Sequence, residues 1–154
     1  ELQRRRFDEN LTFVISADEE TLAVQVPKMI LQPIVENVFK HGFPDTKGPW
    51  VIEIASRMAE PGVLEIRVGD NGVGIGDDTR ERLQAMLDRG ANPFEAEGKY
   101  EEGIGLYNIL SRLRLYFSEQ ARLRLLVRPA GGLEVILSIP LAKGASIHHE
   151  GPDR

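Results

Sequence analysis

The chain has 154 residues, of which 42% are hydrophobic and 28% charged, enough for one globular domain with a buried core. Its formal net charge of −5 excludes the basic stripe expected of a nucleic-acid-binding surface, apart from the local run Arg4-Arg5-Arg6. It has no cysteine, hence no disulfide framework, and no apolar run long enough to span a bilayer as a helix.

Residues 1–7 form a charged stub that reads as the end of a helix belonging to a preceding domain. Leu11, Phe13 and Ile15 alternate with Thr12, Val14 and Ser16, which predicts a strand ended by Asp18-Glu19-Glu20. From Pro27 to His41 the spacing is helical, with Leu31, Ile34, Val35, Val38 and Phe39 on one arc and Pro33, Glu36, Asn37 and Lys40 on the other. Pro33 lacks the N–H that an interior position needs, which predicts a kink or a late start there, and Gly42 reads as the C-terminal cap.

Trp50 to Ser56 and Val63 to Gly69 read as a hairpin turning at Glu60-Pro61-Gly62. Alternation puts Asp70 on the apolar face of Leu64, Ile66 and Val68. Asp78 to Leu87 predicts a short helix with Leu83, Met86 and Leu87 as its stripe. Residues 89–104 are poor in hydrophobes and long for a connection, as lids are. Leu106, Ile109, Leu110, Leu113 and Phe117 predict a helix starting near Gly105. Two strands close the domain, with Leu123, Leu125 and Val127, then Leu133, Val135, Leu137 and Ile139, facing inward around the turn Pro129 to Gly132. Pro140 ends the sheet, and 144–154 reads as a flexible tail. The order implies an α+β fold: a two-layer α/β sandwich whose mixed, mostly antiparallel sheet is covered on one face by three helices, over residues 8–143.

Three segments carry chemistry. Asn37 and Lys40 stand three apart and Asn37 and His41 four apart, so they are helix neighbours; an amide oxygen suits Mg²⁺ and an ammonium suits a phosphate, although a solvated helix face reads the same way. Asp70-Asn71-Gly72 fits a hairpin turn equally well. Gly72, Gly74 and Gly76, however, leave room for a planar ring beside an inward carboxylate, which would accept the amine of adenine and repel the carbonyl of guanine. Gly103-Ile104-Gly105 is ordinary loop punctuation or, at a helix start, an anion site.

With these residues in order, the chain resembles the ATP-binding catalytic domain of sensor histidine kinases, within the superfamily that includes DNA gyrase, the mismatch-repair protein MutL and an ATP-dependent heat-shock chaperone. Leu31-Gln32-Pro33-Ile34-Val35-Glu36-Asn37 with Lys40-His41-Gly42, and Gly103-Ile104-Gly105-Leu106 with Asn108, Arg112-Leu113 and Tyr116, are most similar to the LytS-type branch. The resemblance runs from about Phe7 to Leu141 and implies the Bergerat sandwich. It implies Asn37, Lys40 and Glu36 as catalytic residues, Asn37 holding Mg²⁺, and an ATP site of Asn37, Lys40, His41, Asp70, Gly72, Gly74, Ile75, Gly103, Ile104, Gly105 and Leu106, with 89–104 as the lid.

The implied activity is donation of the γ-phosphate of Mg·ATP to a histidine on an adjacent dimerisation domain, which serves a response regulator, in a cytoplasmic domain of a membrane-anchored parent. Gyrase-like relatives activate water with a glutamate four residues before the asparagine; here that position is Pro33. A degenerate nucleotide-sensing or interaction module and an anti-sigma-type serine kinase are the alternatives. The chain departs from the family at Glu101-Glu102, two carboxylates near the expected polyphosphate, and at Leu133, where a hydroxyl is expected beneath the base-binding carboxylate.

Overall fold

The computed structural model describes residues 2–8, 10–27, 29–90 and 101–141, with 2–8 and 101–102 described by backbone alone. Six strands form one sheet: β1 (Leu2–Asp8), β2 (Leu11–Ala17), β3 (Trp50–Glu60), β4 (Val63–Asp70), β5 (Arg122–Val127) and β6 (Leu133–Pro140), in the order β1-β2-β3-β4-β6-β5. Only β2 and β3 run parallel; every other pair is antiparallel. The parallel pair requires a crossover, and the segment carrying the first helix supplies it. Helices α1 (Gln32–Asn37), α2 (Asp77–Arg89) and α3 (Glu101–Tyr116) make the second layer. The sandwich expected from the sequence is the one observed.

The core lies between the layers. Ile52, Leu64, Ile66 and Val68 of β3 and β4, and Val135, Leu137 and Ile139 of β6, meet Ile34 of α1, Leu83 and Leu87 of α2, and Leu106, Ile109, Leu110 and Leu113 of α3. These are the period-two and helical stripes of the sequence, brought face to face.

Six expectations are corrected. The stub is strand β1, paired with β2 from Leu2↔Ser16 to Asp8↔Leu11. Its charged run has no apolar alternation to announce a strand, and an edge strand tolerates charge because charge there discourages further pairing. Helix α3 begins at Glu101, not near Gly105, and α2 runs to Arg89 before Gly90 caps it at φ 63°; the expected lid therefore loses both ends to helices. Residues 91–100, the rest of the lid, lie outside the described residues, as does the tail 144–154. Gly42 is not a left-handed cap but the last residue of a π-helical turn, Val38–Gly42, that continues α1. That turn changes the helical phase, so Phe39 leaves the buried arc and stands 44% exposed, its ring edge-on to Phe43. Val127, the last residue of the edge strand β5, is likewise exposed. At Pro33 a late start is what occurs: α1 begins at Gln32, and the proline occupies its first turn, where no N–H is missed.

Two polar devices finish the sheet. Gln84 of α2 donates from Nε2 to the Leu123 carbonyl (3.0 Å) and accepts at Oε1 from the Leu125 amide (2.9 Å), covering part of the β5 edge. On the face away from the helices, Glu65 is buried and its Oε1 accepts from Nε of both Arg57 and Arg67 at 2.8 Å. Burial pushes the Glu65 carboxyl up, but the two guanidinium bonds outweigh it and hold the group below its ordinary value. A depressed carboxylate stabilises the fold above its unfolded pKa, and that contribution is lost as pH falls through the folded one. Glu65→Gln is therefore expected to lower the melting temperature at neutral pH and to narrow its gap to the parent as pH drops below the ordinary carboxylate range, measured by thermal melts across pH. A constant gap would refute the linkage.

Candidate functional site

Alternation along β4 carries Leu64, Ile66 and Val68 into the core and leaves Asp70, the last residue of the strand, on the same inward face and 4% exposed. Its Oδ1 accepts from the amide of Gly72 at 2.8 Å. Desolvation raises the Asp70 carboxyl above its ordinary value, while the backbone amides of Gly72 and Leu133 and the charge of Arg128 act in the opposite direction.

What brings the carboxylate into a cavity is close approach of backbones. A Cβ on Gly72 would overlap the carbonyl of Gly42, and one on Gly132 would overlap the carbonyl of Asp70 and lie 2.9 Å from its Oδ1. A Cβ on Gly74 would lie 2.9 Å from the Gly132 carbonyl, and Gly74 and Gly132 also have φ values of 68° and 92°, which favour glycine. The Gly42 carbonyl accepts from the Val73 amide (2.9 Å), joining the π-helical turn to the loop after β4. Asn71 is not a turn residue of a hairpin: its side chain accepts from the Val51 amide (2.8 Å) and donates to the Pro49 carbonyl (2.9 Å), tying the end of β4 to the start of β3.

The cavity has a volume of about 340 Å³. Of the residues singled out by sequence for the site, Asn37, His41, Gly42, Asp70, Gly74, Ile75, Gly76 and Leu106 line it. Gly72 lies beneath, buried against Gly42. Gly105 adjoins through Asn37, since a Cβ there would lie 3.1 Å from the Asn37 Nδ2, so the first and third motifs meet at one amide. Gly103 serves packing instead: a Cβ there would press on Met86 and Leu83 of α2. Lys40, Glu36 and Ile104 are not among the lining residues. Lys40 is exposed, and Glu36 is exposed and accepts from Gln32 Nε2 at 2.8 Å. Glycines 103 and 105 lie inside the first turns of α3 rather than before it, so the amides left without intrahelical partners are those of residues 101–104.

Sequence reasoning missed Thr79, the hydroxyl that α2 contributes to the wall, along with Val68, Leu83 and Val135 as apolar lining, whereas Leu133, named from the sequence, does line it. The signal for Thr79 was its place three residues after Gly76 at a helix start. Among the described residues no group of three or more His, Cys, Asp or Glu could hold a metal ion. Among the lining residues, the Asn37 amide oxygen is of a kind that suits a cation keeping waters or phosphate oxygens as its other ligands. The buried Asp70 carboxylate has acceptor capacity to spare for a donor in the cavity.

Residues 23–143 match the family model described as histidine kinase-, DNA gyrase B-, and HSP90-like ATPase. Similar proteins include the sensor histidine kinase YesM of Bacillus subtilis, 32% identical over 90% of this chain, and the sensor histidine kinase YpdA of Escherichia coli, 33% identical over 90%. The chain spans only 21% and 22% of the lengths of those two relatives. Among solved structures, the catalytic domain of histidine kinase ThkA superposes with a TM-score of 0.57 at 20% identity, covering 85% of this chain and 80% of that one. The blue-light activated histidine kinase of Erythrobacter litoralis gives 0.56 at 20% identity, covering 87% and 36%. These two likenesses speak for the fold.

The glycines separate into two kinds by what a methyl group would meet. Gly72→Ala drives a methyl into a backbone carbonyl and is expected to collapse ligand binding and to cost on the order of 1–3 kcal/mol of stability. Gly103→Ala meets the mobile end of Met86 and is expected to stay folded and bind. Urea midpoints and ATP titration of both variants check this; equal behaviour of the two would refute it.

Proposed function

The chain belongs to the histidine kinase-, DNA gyrase B-, and HSP90-like ATPase family, and on that footing we propose that it binds Mg·ATP and delivers the γ-phosphate to a histidine on an adjacent dimerisation domain of a two-component sensor kinase. The observation that carries the reading is the buried Asp70 carboxylate in a cavity whose neighbouring backbone is kept open by Gly72, Gly74 and Gly132. Asp70 accepts the exocyclic amine of adenine, and the apolar residues Ile75, Val68, Leu83 and Leu106 flank the base. Asn37 would hold Mg²⁺ through its amide oxygen, and His41, in the same wall, faces the nucleotide. Lys40, exposed on a long flexible stem, and the free amides at the start of α3 supply positive potential for the phosphates.

Bound Mg²⁺ neutralises phosphate charge during transfer, and the remaining burden on the protein is positioning. Pro33, in the first turn of α1 where gyrase-like relatives carry a water-activating glutamate, has no group that takes a proton from water. That supports transfer to a protein acceptor over hydrolysis. The acceptor domain and the response regulator it serves complete the proposed pathway of the phosphate. Glu36, bonded to Gln32 on the exposed side of α1, is the weakest member of the proposed catalytic set.

Asp70→Asn is expected to weaken ATP binding by about 1.5–3 kcal/mol, the scale of a charge-assisted hydrogen bond, with GTP weak for both proteins. Calorimetric titration of the two nucleotides checks it, and equal ATP affinities would remove Asp70 from the site. Asn37→Ala is expected to cost affinity in Mg²⁺ and little in chelator; equal losses in both would refute the metal assignment.

A further inference from the structure

Asp70 is gripped from behind by a residue that does not line the cavity. Arg128 opens the turn between β5 and β6, closed by bonds from its amide to the Gly132 carbonyl (3.1 Å) and from the Gly131 amide to its own carbonyl (3.0 Å). Its Nη1 donates to the backbone carbonyl of Asp70 at 2.9 Å, and its Nη2 pairs with Oε2 of Glu53 on β3. Between these bonds the guanidinium lies across Gly69, where a Cβ would come within 3.1 Å of Nη1 and 3.3 Å of Cζ. Gly69 alternates with Asp70 and pairs with Glu53, so the clamp sits on the sheet face away from the helices. One turn thus holds Asp70 twice: Gly132 packs on its carbonyl and Arg128 bonds to it.

We propose that Arg128 is a positioning residue for ligand recognition, fixing the end of β4 and presenting the Asp70 carboxylate to the cavity as an anion. The inference rests on the reading of Asp70 as the base-binding group. The planar fork of the arginine makes two directed bonds at once, to the strand end and to Glu53, which an ammonium cannot reproduce. Among the described residues, the charged and titratable groups around Asp70 are Arg128 with Glu53 behind it and His41 in the opposite wall; Thr79 of α2 and the Leu133 amide of β6 carry no charge. Burial disfavours the anion, and the charge of Arg128 opposes that effect. Binding that needs the anion fades as pH falls through the Asp70 pKa. Removing Arg128 therefore moves that loss to higher pH, and neutralising Glu53, which offsets the arginine, moves it to lower pH.

The test is ATP and adenosine affinity across pH for the 154-residue chain, the variants Arg128→Met, Arg128→Lys, Glu53→Gln and Asp70→Asn, and thermal melts of each. Arg128→Met is expected to bind both ligands about tenfold more weakly at neutral pH, the scale of one hydrogen bond involving a charged group, and to lose binding at higher pH than the parent. Arg128→Lys is expected to restore the pH profile but only part of the affinity, and Glu53→Gln to shift the profile the other way. Parental affinity and profile in Arg128→Met, or shifts of the same sign in Arg128→Met and Glu53→Gln, would overturn the inference. If Arg128→Met does not fold, an unmoved profile in Glu53→Gln overturns it and a downward shift upholds it. Asp70→Asn separates the two levels: undiminished ATP binding there defeats the base-binding reading and this inference with it, whereas lost binding beside an unmoved Arg128→Met profile defeats this inference alone.

Discussion

The site depends on main chain touching main chain at the end of β4. Gly72 rests on the carbonyl of Gly42 and Gly132 on that of Asp70, so three segments distant in sequence converge within a space that a methyl group would fill. A side chain at either place would force the π-helical turn or the β5–β6 turn away, and the carboxylate would face solvent. Close packing of this kind is unforgiving because interiors have few voids to absorb displaced atoms. The hydrophobic layers set where the helices lie; these contacts set where the carboxylate lies.

The two faces of the sheet solve different electrostatic problems. Toward the helices, Asp70 is desolvated, and its carboxyl rises above its ordinary value although two backbone amides and the charge of Arg128 oppose the rise. On the other face, Glu65 is also buried but is met by two guanidinium groups, and its carboxyl falls. The contrast separates a carboxylate whose burial outweighs its partners from one whose partners outweigh its burial.

Much of this was legible in the sequence because it is written in local periodicity. The alternation Leu64, Ile66, Val68, Asp70 placed the carboxylate correctly, and the stripes of α2 and α3 named the residues that became core. The N-terminal strand was illegible for the same reason: its pairing with β2 is a tertiary event, and Arg4-Arg5-Arg6 carries no apolar period. The start of α3 was hidden because Gly103 and Gly105 are poor helix formers, retained by packing against Met86 and against Asn37. Phe39 was assigned to the core by a period of 3.6 that the π-helical turn does not keep. Arg128 gave no signal of its position, since it acquires meaning from a carbonyl 58 residues away in the chain. The three-motif order, by contrast, pointed to the family whose model matches residues 23–143.

The Gln84 amide at the β5 edge has the donor and acceptor of a peptide group, and β5 treats it as one residue of a seventh strand. Helix α2 is thereby held in register with the sheet by hydrogen bonds as well as by apolar contact, which alone allows sliding. Leu83 precedes Gln84 directly and Thr79 lies one turn before Leu83, so both wall residues inherit that register. One side of the cavity is in effect ruled by the sheet.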